Sequence, residues 1–142
     1  MFEACLQKQE VMKAQFARCE TIEARYQKII DLGRELGRLA PKWKKEANLV
    51  NGCQSQMYLH SWMEEGRIYF EAESDAIISS GLAMLLIRVY NGETPETVLK
   101  CAPRFIDELG IPASLTPGRA NGLASLYLRM KQDALRLYMQ RS

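Results

Sequence analysis

Histidine is almost missing from this 142-residue chain, with His60 alone, and the four cysteines (Cys5, Cys19, Cys53, Cys101) stand far apart with no CxxC pair. A zinc centre needs several such ligands at close spacings and a secreted framework needs paired cysteines, so the pattern argues against both. An excess of either charge is missing too: 19 Lys and Arg are interleaved with 17 Asp and Glu, leaving +2. Nucleic-acid binding needs a concentrated basic face. The nearest approach to one, Lys42-Trp43-Lys44-Lys45, runs straight into Glu46 and reads as a solvated loop, so no nucleic-acid partner is expected. Long apolar runs are also absent. The most apolar stretch, Ala76 to Tyr90, is shorter than the roughly 20 residues that cross a bilayer and carries Arg88, which makes it a core helix and not a membrane span. The opening Met1-Phe2-Glu3-Ala4 has no basic leader followed by an apolar run, so a cytoplasmic location is expected.

What is present suits one compact domain over residues 1–142, because 47% hydrophobic and 25% charged residues lie in the ordinary globular range. From about residue 6 to residue 33, apolar residues recur at helical spacing, with a cap expected at Thr21. This predicts two short helices or one bent one, residues 1–18 forming a helical extension. Gly33, Gly37 and Pro41 then break the pattern, and loop or irregular turn is expected to residue 48. Residues 56–63 and 67–73 read as a hairpin around Glu65-Gly66, with Ile68, Phe70 and Ala72 on one face and a short third strand expected at residues 48–50. Ser74-Asp75 is placed to cap a buried helix that ends at Asn91-Gly92. Thr94-Pro95 and Thr116-Pro117 each start a further helix, the last running to about Gln140. The fold class is therefore α+β: a small antiparallel sheet of about three strands packed against several helices.

One cysteine lies in a setting that suggests reactivity. Asn51-Gly52-Cys53-Gln54-Ser55 puts Cys53 in a glycine-containing turn before a strand, where sulfur is exposed and the N–H groups of the turn can help stabilise a thiolate. The alternative is a small apolar residue closing a turn. Cys5 and Cys19 fall in helical sequence and Cys101 precedes Ala102-Pro103, so each reads as structural. His60 invites a Cys–His dyad, but seven strand residues at about 3.3 Å each put it roughly 20 Å from Cys53, and strand-face packing suits it better. Arg119, at the head of the last helix, could hold an anionic sulfur species or a partner's carboxylate, or be a plain helix-start arginine. Asp75 could cap its helix, contact a partner or orient the Cys53 loop.

Asn48-Leu49-Val50-Asn51-Gly52-Cys53-Gln54-Ser55-Gln56 resembles the active-cysteine segment of the SufE-like sulfur acceptors. Later landmarks of that family follow in order: Ser74-Asp75-Ala76 leading to Gly81-Leu82, then Thr94-Pro95-Glu96, then Leu115-Thr116-Pro117-Gly118-Arg119 with Asn121-Gly122-Leu123. Met57-Tyr58 stands where the family often has a β-branched residue and tryptophan, and Gly118 where serine is common. The resemblance implies a sandwich fold shared with NifU-type scaffolds and a persulfide carried on Cys53, with Gly52, Gln54, Ser55, Asp75 and Arg119 in support. It implies a pyridoxal-phosphate cysteine desulfurase of the SufS or CsdA type as sulfur donor and partner, which this chain stimulates. A SufBCD-type scaffold is the implied acceptor, and the chain is expected to hold no cofactor of its own. An iron–sulfur scaffold and a desulfurase-activating adaptor are the alternatives.

Overall fold

The computed structural model describes residues 1–140, so the last two positions of the expected domain lie outside the described residues. The chain forms α1 (Glu3–Ala17), α2 (Ile22–Glu35), strands β1 (Met57–Glu64) and β2 (Arg67–Ser74), then α3 (Ile77–Tyr90), α4 (Pro95–Lys100), α5 (Arg104–Glu108) and α6 (Pro117–Gln140). Short 3₁₀ turns occupy Pro41–Trp43, Glu46–Asn48 and Pro112–Ser114. The element order is α+β, as the sequence predicts.

Local chemistry explains most boundaries. The Thr21 hydroxyl accepts from the Ala24 N–H at 3.0 Å and starts α2. Thr94 accepts from the Thr97 N–H at 3.2 Å, with Pro95 at the first helical position of α4. The hairpin turns through Glu65 and Gly66, both at positive φ (50° and 80°), as a two-residue loop matched to strand twist requires. The strands then pair antiparallel from Met57↔Ser74 to Glu64↔Arg67.

Four expectations change. The third strand is a single bridge, Leu49↔Tyr58, beside a sheet of two strands. Asp75 does not cap α3: the helix begins at Ile77 after Ala76, and the Asp75 carboxylate is engaged elsewhere. Cys19 lies in the link between α1 and α2 and not in a helix. Finally, α5 is a helix that periodicity does not reveal, because five residues are too few to show a face; Phe105 and Ile106 bury it.

Helix α3 is the hub. Its Leu82, Leu85, Leu86 and Val89 are buried, and it packs on α1, α2, α6 and β2. Sheet residues Met57, Leu59, Ile68, Phe70 and Ala72 close the same core. Residues 1–18 contribute to it as well, since Cys5, Gln9, Met12 and Phe16 of α1 are buried. Gln9 bonds the Ala102 carbonyl (3.1 Å) and the Phe105 N–H (3.3 Å), and Lys8 pairs with Glu93 at 2.5 Å.

Helices α2 and α3 cross at backbone contact. A Cβ on Gly81 would lie 2.0 Å from the Ile29 carbonyl oxygen, and one on Gly33 would lie 2.4 Å from that of Ile77. A methyl group there must push the helices apart, and overpacking of this kind costs about 1–3 kcal/mol. Gly81→Ala is therefore expected to lower the unfolding free energy obtained from urea titration by an amount in that range, whereas Gly37→Ala, with nothing within 4 Å, leaves it nearly unchanged.

Candidate functional site

The segment between the Leu49 bridge and β1 carries Cys53 and lies along one stripe of α6. Gly118, Gly122, Ser125, Arg129 and Asp133 recur at three- and four-residue spacing, which places them on one helix face. The loop meets this stripe residue by residue, in the reverse chain direction.

Gly52 has φ +91° and sits so close to α6 that a Cβ would lie 2.4 Å from Ser125 Oγ, so both backbone angle and space require glycine. The Gln54 side chain covers Gly118, where a Cβ would come within 2.1 Å of its amide. Serine at 118 would have to displace Gln54, which gives the departure at Gly118 a local consequence. Ser79 of α3 donates to Ser55 Oγ at 3.2 Å. The Gln56 N–H donates to Asp75 Oδ1 at 3.1 Å, and the Asp75 N–H returns a bond to the Gln56 carbonyl at 3.3 Å. Asp75 thus ties down the end of the Cys53 loop, the role its sequence left open beside helix capping.

Cys53 is half-buried, and its thiol donates to the Gly122 carbonyl at 3.6 Å. The sequence suggests turn N–H groups stabilising a thiolate; the structure instead turns the sulfur toward a carbonyl oxygen, which favours the neutral thiol. Burial pushes the Cys53 thiol above its ordinary value. Beside the sulfur lies a cavity of about 20 Å³, lined by Cys53, Gln54, Ser79, Leu82, Arg119 and Leu126 among others. That is enough for about one water-sized atom. Arg119 is the charged group on this lining, and its guanidinium is held by the Tyr26 hydroxyl of α2 at 2.7 Å.

The six residues singled out in the sequence, Gly52, Cys53, Gln54, Ser55, Asp75 and Arg119, therefore meet at one place. The others do not. Cys5 and Cys101 are buried around Gln9, whose amide lies 3.8 and 3.7 Å from their sulfurs, and burial pushes the Cys5 thiol up to about 12. His60 is the middle of a stacked ladder on the outer face of the sheet, 3.7 Å from Trp43 and 5.1 Å from Trp62 between ring centroids. Among the described residues no group of three or more His, Cys, Asp or Glu could hold a metal ion, and no helix is long and apolar enough to cross a membrane. Sequence reasoning missed Ser79, Ser125 and Arg129, which touch the loop or its stem from 24 to 82 residues away.

The SufE model, described as an Fe–S metabolism associated domain, matches residues 10–134. The chain belongs to the SufE family. It is 35% identical over 127 residues to an uncharacterized SufE-like protein of Synechocystis, covering 89% of this chain and 80% of that one. SufE-like protein 1, chloroplastic/mitochondrial, of Arabidopsis thaliana is 34% identical over 130 residues, a match to 91% of this chain but only 35% of that longer protein. The same fold occurs in the solution structure of a hypothetical protein from Thermus thermophilus, with a TM-score of 0.78 at 24% identity, covering 94% and 97% of the two chains. SufE family membership supports a role in iron–sulfur metabolism.

The geometry at Cys53 has a measurable sign. A raised thiol value leaves less thiolate at a given pH, and thiolate is the reactive form. Alkylation of Cys53 in the native protein is expected to rise with pH around a midpoint above that of the same cysteine in urea, and to be slower below it. A native midpoint below the unfolded one would mean that the loop stabilises thiolate.

Proposed function

We propose that this SufE-like chain is a sulfur carrier that accepts a persulfide sulfur on Cys53 from a cysteine desulfurase and passes it to iron–sulfur cluster assembly. The observation that supports this most is the seating of Cys53 by neutral contacts, in a loop anchored at its end by Asp75, beside a cavity one atom in size.

The chemistry is thiol–persulfide exchange. The Cys53 thiolate attacks the outer sulfur of the desulfurase persulfide, a new S–S bond forms, the old one breaks, and the desulfurase cysteine leaves as a thiolate. The product is Cys53–S–SH, and the same exchange with an acceptor thiol unloads it. Attack needs the sulfur to leave the Gly122 carbonyl, so the loop lifts from α6 for transfer and returns to shelter the cargo. With the Asp75–Gln56 anchor kept, lifting breaks a weak S–H contact and the Ser79–Ser55 pair, each worth about 1 kcal/mol or less net, so opening is cheap enough for a partner to drive. In the closed state the cavity accommodates roughly one further sulfur beyond Cys53, and Arg119 on its lining suits an anionic persulfide.

A scaffold assembles its cluster on several cysteines brought together. Here Cys5 and Cys101 are enclosed around Gln9, whereas Cys53 faces Gly122 on α6. An adaptor that only stimulates the desulfurase through its surface would work without the thiol. Turnover of a cysteine desulfurase should rise on adding the wild-type chain and stay at its basal rate with Cys53→Ser. Equal stimulation by the two would replace the carrier with an adaptor.

A further inference from the structure

The N-terminal stem of the Cys53 loop is held by a charge, as its far end is held by Asp75. Arg129 of α6 donates from Nη1 to the Leu49 carbonyl at 2.9 Å and from Nη2 to the Ala47 carbonyl at 2.5 Å. Its Nε donates to Asp133 Oδ1 at 3.0 Å, one turn further along the same helix, and the other Asp133 oxygen accepts from Ser61 of β1 at 2.7 Å. Asp133 is buried, with 5% of its side chain exposed. The guanidinium is thus aimed by a carboxylate that is itself fixed to the sheet.

The two carbonyls lie on the side of the stem that faces away from β1. Leu49 meets Tyr58 in a single bridge and the Val50 N–H bonds the Met57 carbonyl at 2.9 Å before the chain turns at Asn51 and Gly52, while the outward Leu49 carbonyl is taken by Arg129. The stem is therefore bound to α6 immediately before the chain rises into Asn51 and Gly52. A planar fork with several donors fixes two carbonyls in one geometry, which a lysine cannot reproduce.

We propose that Arg129, aimed by Asp133, is a positioning residue for Cys53: it holds the stem of the loop on α6 and so keeps the thiol seated against Gly122. The other full charge on the loop is the Asp75 carboxylate, which accepts the Gln56 N–H at its far end, on the β1 side of Cys53. The cavity beside the sulfur is lined by Ser79 and Leu82 of α3 and Met57 of β1, which are uncharged, and Arg119 is the charged group on that lining. With the fork removed, the seat depends on Gly52 against Ser125, Gln54 over Gly118, and the Ser55 and Gln56 bonds. What this seating means for sulfur transfer rests on the carrier reading, but the seating can be measured without it.

The test is alkylation of Cys53 by iodoacetamide in the full-length chain, followed by peptide mapping across a pH series, with no desulfurase present. Arg129→Met is expected to raise the rate about five- to tenfold at a pH below the native midpoint and to move the midpoint toward its unfolded position, about one pH unit being tenfold in thiolate. Arg129→Lys keeps the charge without the fork and should fall between Arg129→Met and wild type. Val89→Ala, a buried change in α3, controls for lost stability alone and should leave rate and midpoint as in wild type. An unchanged profile in both Arg129 variants, or an equal shift in Val89→Ala, would reduce Arg129 to a stability contact and overturn the proposal. The outcome is independent of the carrier reading, since a chain that never accepts sulfur would still show the Arg129 effect.

Discussion

The site depends on the close lie of the 51–56 loop along one stripe of α6. That contact needs a smooth surface, and the stripe supplies it: two glycines and a serine lie under Gln54, Cys53 and Gly52, with Arg129 under the stem. The glycines are not equivalent. A Cβ at 122 would stand 3.6 Å from Cys53 Sγ, an ordinary contact, whereas one at 118 would collide with Gln54. The constraint therefore falls on the residues beside the cysteine more than on the cysteine itself.

The rest of the fold builds the surface on which this contact forms. Helix α3 is buried between α2 and the α6 side, and the Gly33–Gly81 crossing brings α2 close enough for Tyr26 to reach Arg119 at the head of α6. The same α3 presents Ser79 to Ser55, and the residue pair before it presents Asp75 to Gln56. Core packing and site geometry are thus linked through one helix. These contacts hold a thiol whose burial favours the protonated form, which suits a group that must resist stray reaction until its seat is opened.

How much of this could be read from the chain follows the range of the interactions. Thr21, Thr94-Pro95 and Glu65-Gly66 act on neighbours within four residues, so their helix starts and turn were legible. The Cys53 segment was legible through its glycine and through family resemblance, and the six residues named from sequence do gather in space. Asp75 shows the limit: a carboxylate before a helix satisfies capping rules, but its partner is the Gln56 N–H, 19 residues back. Arg129 was missed for the same reason, since its partners lie 80 and 82 residues away. The third strand shortens to one bridge because the chain is a 3₁₀ turn up to Asn48 and turns again at Asn51 and Gly52, leaving room for one pair.

The central claim, that Cys53 carries sulfur, is tested most directly by intact mass. The chain is incubated anaerobically with a cysteine desulfurase and cysteine, and the modified peptide is mapped without reductant. The account predicts one added sulfur atom at Cys53 and none in Cys53→Ser. Sulfur on Cys5, Cys19 or Cys101 instead, or no adduct despite complex formation with the desulfurase, would contradict it.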